Sequence, residues 1–218
     1  MIKIAASILA SDFSKLKEEI QNVEKAGADI IHIDIMDGQF VPCIGIGPKI
    51  VQDIRPHTKL PLDVHLMVVE PDKWIKDFAN AGADIITVHA ESCLHLDRTI
   101  RTIKSLGINA GIALNPSTSE TILQYIIENI NLILIMTVNP GFGNQKFLNR
   151  PLDKIIKLKK MLKLINNKNC LIEVDGGINE KNSVKVAQKG ADILVVGTAI
   201  YSKNNYKKAI TKIKENIF

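Results

Sequence analysis

Aromatic side chains are scarce in this 218-residue chain, which has six Phe, three Tyr and one Trp. The basic run "KIIKLKKMLKLINNKNC" holds none of them, and "YSKNNYKKAITKIKENIF" holds only Tyr201, Tyr206 and Phe218, none within its lysine-rich stretch 207–217, so there is no evident platform for stacking nucleic-acid bases. In both runs lysines alternate with apolar residues at helical spacing, so the formal charge of +5 reads as solvated helix faces. No stretch reaches the ~18 to 20 uninterrupted apolar residues of a membrane-spanning helix. The N-terminal apolar run has one lysine ahead of it and Ser11-Asp12 behind it, which makes a poor signal peptide and a good first strand. Cys43, Cys93 and Cys170 are odd in number and include no C-x-x-C pair. Neither a disulfide framework nor a thiolate metal site is indicated, and a reducing cytoplasm is expected. A G-x-G-x-x-G dinucleotide signature after the first strand is also missing, which counts against an open doubly wound sheet.

What is present is alternation. Eight apolar runs ("KIAASILA", "DIIHIDIM", "LPLDVHLM", "DIITVHA", "INAGIALN", "LILIMTV", "CLIEVDGG", "DILVVGTA") read as strands. Helix-period stretches lie between them: Phe13 to Lys25, Asp72 to Ala81, Leu94 to Ser105, Ser119 to Glu128, Pro151 to Leu164, Asn179 to Lys189 and Tyr206 to Asn216. The phrase Gly-Ala-Asp recurs before three strands, at Gly27, Gly82 and Gly190, each glycine placed to end a helix in a left-handed cap. These glycines fall near multiples of the ~27 residues that eight equal units would occupy. The pattern predicts an α/β protein, a single (β/α)₈ TIM barrel over residues 1–218 with an eight-stranded parallel barrel, outer helices and no linker or second domain.

Active sites of such barrels lie at the C-terminal strand ends, where residues two apart point the same way. His32, Asp34 and Met36 share one face of the second strand, and Asp63, His65 and Met67 one face of the third. If these faces point inward, His32, Asp34 and His65 converge with Asp175 of "EVDGG". Two imidazoles and two carboxylates suit a divalent cation such as Zn²⁺, Fe²⁺, Mn²⁺ or Co²⁺, and burying the carboxylates without a cation or donor is costly. Asp63 and Glu173, one layer deeper, read as supporting or core residues. His89 could orient a ligand or pack, with packing preferred. Glycine-rich turns in "NPGFGNQKF", "DGGI" and "VGTA" follow three successive strands and offer backbone N–H groups to an anion such as a sugar phosphate. A cation site at one end, a phosphate site at the other and a carboxylate on each flank fit proton abstraction beside a carbonyl. One aspartate removes the carbon-bound proton and the other returns one to the opposite face.

The motifs "SILASDF", "HIDIMDGQFVP", "DVHLMVVEP", "ADIITVHAE", "GIALNPST", "MTVNPGFGNQKF", "EVDGGIN" and "GADILVVGTAIY" occur in that order, and together they resemble the ribulose-phosphate 3-epimerase family over essentially the whole chain. The resemblance implies interconversion of D-ribulose 5-phosphate and D-xylulose 5-phosphate in the pentose phosphate pathway. It implies one divalent metal ion per subunit, Zn²⁺ first among the candidates, on His32, Asp34, His65 and Asp175. Asp34 would accept the proton and Asp175 donate on the opposite face. Substrate contacts would come from Ser7, His65, Met36, Met67 and Met136, and phosphate contacts from Gly141, Phe142, Gly143, Asn144, Gly176, Gly177, Gly197 and Thr198. Asn144 and Thr198 stand where glycine and serine are usual, and Gln39 and Cys43 where His and Asn are usual. An epimerase of D-allulose 6-phosphate is the alternative within the family, and a non-catalytic sugar-phosphate-binding barrel the alternative outside it. The D-x-K-x-x-D lysine of related decarboxylases is missing from "DIMD". The expected partners are a sugar phosphate and further copies of the chain, with no nucleic acid and no membrane.

Overall fold

In a computed structural model, which describes residues 2–143 and 145–217, eight parallel strands close into a barrel in sequence order. They are β1 (Lys3–Ser7), β2 (Ile30–Met36), β3 (Leu62–Met67), β4 (Ile85–His89), β5 (Asn109–Leu114), β6 (Leu132–Met136), β7 (Leu171–Asp175) and β8 (Ile193–Val196). The helices are α1 (Leu16–Lys25), α2 (Pro48–Ile54), α3 (Ile75–Asn80), α4 (Leu96–Ser105), α5 (Leu152–Leu164), α6 (Ser183–Gln188), α7 (Thr198–Tyr201) and α8 (Tyr206–Ile217). Each long helix buries an i, i+3/i+4 stripe against the barrel wall, for example Ile20 and Val23 of α1 and Ile210 and Ile213 of α8.

Alternation divides the strand residues between two cores. Ile31, Ile33 and Ile35 point outward into the layer between sheet and helices. Ala5, Ile30, Leu132, Leu134, Ile193 and Val195 point inward and fill the barrel floor. The β2–β3 register pairs His32 with Asp63, Asp34 with His65 and Met36 with Met67, so the polar rungs stack directly above that floor.

The Gly-Ala-Asp repeat now has a physical reason. Gly27, Gly82 and Gly190 all have φ near +100°, and five-residue closures (Ala28 N–H to Val23 O, Ala83 N–H to Phe78 O) end the helices before them. The aspartates that follow clamp the bottom of the barrel. Asp29, Asp84 and Asp192 accept the backbone N–H of Ile4, Leu62 and Ile172 at the start of neighbouring strands, at 2.7–2.8 Å. Each is paired with a cation, Lys214, Arg55 or Lys159, at 2.6–2.8 Å. A charge-assisted bond of this type stabilises by about 1.5–3 kcal/mol, so the repeat serves the fold, at the face remote from the site.

Two local expectations are corrected. Ser119 to Glu128 is not an α-helix but two 3₁₀ turns, Glu120–Leu123 and Ile127–Asn129. The Ser119 side chain accepts the Thr121 N–H, and β-branched Thr121, Ile122, Ile126 and Ile127 resist a continuous α-helix. Pro48–Ile54 and Thr198–Tyr201, by contrast, are helical although too short to show a period.

Candidate active site

Inward-facing residues at the C-terminal strand ends open onto a cavity of about 830 Å³. Ser7, Asp34 and Asp175 line it with Met36, Met67 and Met136. Gly141, Phe142 and Gly143 after β6, Gly176 and Gly177 after β7, and Gly197 and Thr198 after β8 also line the cavity. Asn144 lies outside the described residues. Cys43 lines the cavity, whereas Gln39 does not. His32 and His65 are fully buried behind Asp34 and do not line the cavity, so His65 stands behind the carboxylate rather than at the wall where substrate contact was expected.

Asp34 is the hub. Its Oδ2 accepts the Ser7 hydroxyl at 2.8 Å, and its Oδ1 faces His65 Nδ1 at 3.1 Å and His32 Nε2 at 3.4 Å. Donor atoms of His32, Asp34, His65 and Asp175 all lie within 4.8 Å of one another. The His32 Nδ1–H points at Asp63 Oδ2, 2.7 Å away, which leaves Nε2 aimed at the centre with no hydrogen-bond partner among the described residues. An orphaned, fully buried imidazole nitrogen beside a carboxylate is what a divalent-cation site looks like before its cation is counted. A second grouping, His32, Asp63 and Glu173, is sealed below the first. There Asp63 is already satisfied by His32 and by the Thr87 hydroxyl, 3.2 Å away.

The electrostatics follow from this crowding. Burial pushes the Asp34 carboxyl up, but the charge of His32 and the close approach of both imidazoles outweigh it and hold Asp34 well below the usual carboxylate range. Burial and the negative charge of Asp34 push Asp175 up to about 7. His32 is raised well above its ordinary value, because Asp34 and Asp63 outweigh its burial. Burial takes His65 down to about 4. Burial, and then the neighbouring Asp63, push Glu173 well above the carboxylate range. The two aspartates facing the cavity therefore differ sharply in their hold on a proton.

Thr137 and Asp37 escape sequence reasoning, and Gly176 and His89 acquire roles beyond those expected of them. Thr137 fixes the end of β7: its N–H and hydroxyl both donate to the Asp175 carbonyl, and the hydroxyl also reaches the Gly176 carbonyl at 2.7 Å. Gly176 has φ +119°, and a Cβ there would lie 2.6 Å from Val138 Cγ2, so only glycine makes this turn directly after Asp175. Asp37 is a loop anchor, taking the N–H groups of Gln39, Phe40 and Val69 at 2.8–2.9 Å and tying the β2 loop to the β3 loop. His89 is fully buried and packs against Phe40, as expected, and its Nε2 also meets His65 Nε2 at 2.9 Å.

With this geometry in hand, comparison with known proteins is direct. The profile described as "Ribulose-phosphate 3 epimerase family" matches residues 3–201. Ribulose-phosphate 3-epimerase of Bacillus subtilis (strain 168) is 54% identical, covering 98% of this chain and 99% of its own length. The protein of the same name from Synechocystis sp. is 51% identical over 99% of this chain and 94% of its own. Among solved structures, 3-hexulose-6-phosphate synthase superposes with a TM-score of 0.73 at 18% identity, covering all of both chains, a likeness of fold alone.

Proposed function

The chain belongs to the ribulose-phosphate 3-epimerase family, and on that premise we propose that Asp34 and Asp175 are the two acid–base groups that invert C3 of the ketose phosphate held in the cavity. The reaction is the interconversion of D-ribulose 5-phosphate and D-xylulose 5-phosphate, a carbohydrate isomerisation of the pentose phosphate pathway. The observation that carries the assignment of roles is that two carboxylates, one from β2 and one from β7, face the same cavity from separate parts of the barrel wall.

The C3 hydrogen of the ketose is acidified by the neighbouring C2 carbonyl, and its removal leaves an enediolate. Inversion requires the proton to leave by one face and return by the other. Asp34, held ionised, accepts it from D-ribulose 5-phosphate, and Asp175, whose carboxyl burial and the charge of Asp34 push up, delivers one opposite. In the reverse direction the roles exchange. The Ser7 hydroxyl holds Asp34 in place through Oδ2, and Met36, Met67 and Met136 supply a polarisable wall that excludes water from the carbanionic centre.

His32, Asp34, His65 and Asp175 would hold one divalent cation per subunit, which supplies positive charge against the developing enediolate. The orphaned His32 Nε2 and the mixed imidazole–carboxylate donor set support this fit, with Zn²⁺ first and Fe²⁺, Mn²⁺ or Co²⁺ as alternatives. The turns at Gly141 to Gly143, Gly176, Gly177, Gly197 and Thr198 would take the phosphate. Among the described residues no helix is long and apolar enough to cross a membrane, and a cytoplasmic location fits the free cysteines. Assembly into a homo-oligomer would use helix faces or loops, since a closed barrel offers no strand edge.

Steady-state turnover on D-ribulose 5-phosphate and D-allulose 6-phosphate tests the substrate assignment. The pentose phosphate is expected to give a kcat/KM at least about tenfold higher, as a site tuned to a ligand one carbon shorter should. A preference for the hexose phosphate would move the chain to the alternative activity, and binding of either sugar phosphate without turnover would make it a non-catalytic binding barrel.

A further inference from the structure

Behind the site a line of hydrogen-bonded groups leads away from it, from two fully buried imidazoles to a carboxylate, Glu91, that is partly open to solvent. His65 turns Nδ1 toward Asp34 and Nε2 toward His89 Nε2, 2.9 Å away. The other nitrogen of His89, Nδ1, meets Glu91 Oε2 at 3.1 Å. The second oxygen of Glu91 accepts the backbone N–H of Asn115 at 2.8 Å and the hydroxyl of Thr118. His65 and His89 are fully buried, and Phe40 covers His89 with ring centroids 4.8 Å apart. Lys154, itself buried, donates to the Asn115 carbonyl at 2.6 Å and brings a positive charge to the same corner.

Each contact from His65 Nε2 through His89 to Glu91 needs one proton, and the line has a fixed end. The Asn115 N–H can only donate, so Glu91 must accept. Burial pushes Glu91 up, but the hydrogen bonds from His89, Thr118 and Asn115 outweigh it and bring it down to about 2, which keeps it a carboxylate. A carboxylate facing His89 Nδ1 requires the proton there, which leaves neutral His89 a bare Nε2. That nitrogen in turn requires the proton of His65 on Nε2, and the lone pair of His65 is then on Nδ1, the nitrogen that faces Asp34.

We infer that Glu91 is a positioning residue that, through His89, sets the tautomer of His65 and thereby presents Nδ1 as an electron-pair donor to the cation. The inference rests on the metal assignment proposed above. Glu91 touches neither substrate nor cation and acts at two imidazoles' remove. In the cation-loaded protein every contact of the line is then satisfied, whereas with the opposite set of tautomers the His65 proton occupies the ligating nitrogen.

Glu91→Gln reverses the logic while preserving shape. The Gln carbonyl must face the Asn115 N–H, so its NH₂ faces His89 and demands an acceptor at Nδ1. Loading the cation then forces two donors together, and the affinity for Zn²⁺, measured by chelator competition on the full-length protein, is expected to fall about 10- to 100-fold, the usual effect of disturbing groups behind a ligand. Thr118→Val removes one partner of Glu91 without reversing any polarity and is expected to bind Zn²⁺ within about twofold of wild type. The direct readout is ¹⁵N NMR of histidine-labelled, Zn²⁺-loaded wild-type protein, in which His89 is expected to carry its proton on Nδ1.

Three results would overturn the inference: wild-type Zn²⁺ affinity in Glu91→Gln, an equal loss in Thr118→Val, which would mark a merely structural role, or a His89 proton on Nε2 in the wild type. The NMR result decides even if the Gln variant does not fold. A wild-type chain that binds no divalent cation would instead overturn the metal assignment itself, and this inference with it.

Discussion

Asp175→Asn is expected to abolish net epimerisation, lowering kcat by roughly 10³-fold or more, at the upper end of what a positioned acid–base group contributes. The amide is nearly isosteric and cannot carry the proton to or from C3. The barrel is expected to stay folded, because Thr137 holds this strand end through the main-chain carbonyls of residues 175 and 176, which the substitution leaves in place. A carboxylate crowded by Asp34 is also being replaced by a neutral group. What distinguishes a two-base mechanism from general damage is the half-reaction that survives. Asp34 can still remove the C3 proton of D-ribulose 5-phosphate and return one to the same face, so the variant should wash solvent deuterium into D-ribulose 5-phosphate while forming no D-xylulose 5-phosphate. Asp34→Asn is more damaging, since it removes a base, a cation ligand and the ionised acceptor for the Ser7 hydroxyl together. Full activity in either purified variant would contradict the assignment.

The second large effect is removal of the cation. Without it, two carboxylates and two imidazoles crowd within 4.8 Å with His32 Nε2 unsatisfied, and the enediolate has no positive charge to meet it. Several kcal/mol of charge stabilisation are at stake, so protein stripped by a chelator is expected to lose at least about 10³-fold in kcat and to recover on addition of Zn²⁺, Fe²⁺, Mn²⁺ or Co²⁺. The stripped protein should also melt earlier, because a ligand present at about 100 times its Kd stabilises by about 2.7 kcal/mol. Activity assays and thermal melts before stripping, after stripping and after reconstitution check both effects. Undiminished turnover by protein shown by elemental analysis to hold no metal would remove the cation from the account.

How much of this was legible in the sequence depends on range. The eight strands, the inward His32, Asp34 and Met36 and the outward isoleucines follow from alternation, a local property that the closed barrel preserves. The three Gly-Ala-Asp turns announce helix ends for the same reason, although the partners of their aspartates, N–H groups at the start of other strands, lie 20 to 25 residues away. The convergence of His65 and Asp175 on Asp34 could be anticipated once a barrel was assumed. Which nitrogen of His65 meets which neighbour could not. Strand position places His89 inside the barrel, but its contacts with His65 and Glu91 depend on ring orientation at the strand ends, which no spacing encodes. Thr137 was hidden because it acts through backbone carbonyls. The Ser119 to Glu128 segment misled because its apolar spacing suits a helix and its β-branched residues do not. Gln39 stands outside the cavity wall, and nothing in the structure explains its identity.

The central claim is that the C3 proton is exchanged through two carboxylates, and turnover of D-ribulose 5-phosphate by the metal-loaded wild-type protein in D₂O tests it most directly, with the product read by mass spectrometry and proton NMR. The account predicts that the D-xylulose 5-phosphate formed carries deuterium at C3, delivered by an acid equilibrated with solvent. Product that keeps the substrate's own hydrogen at C3 would contradict it.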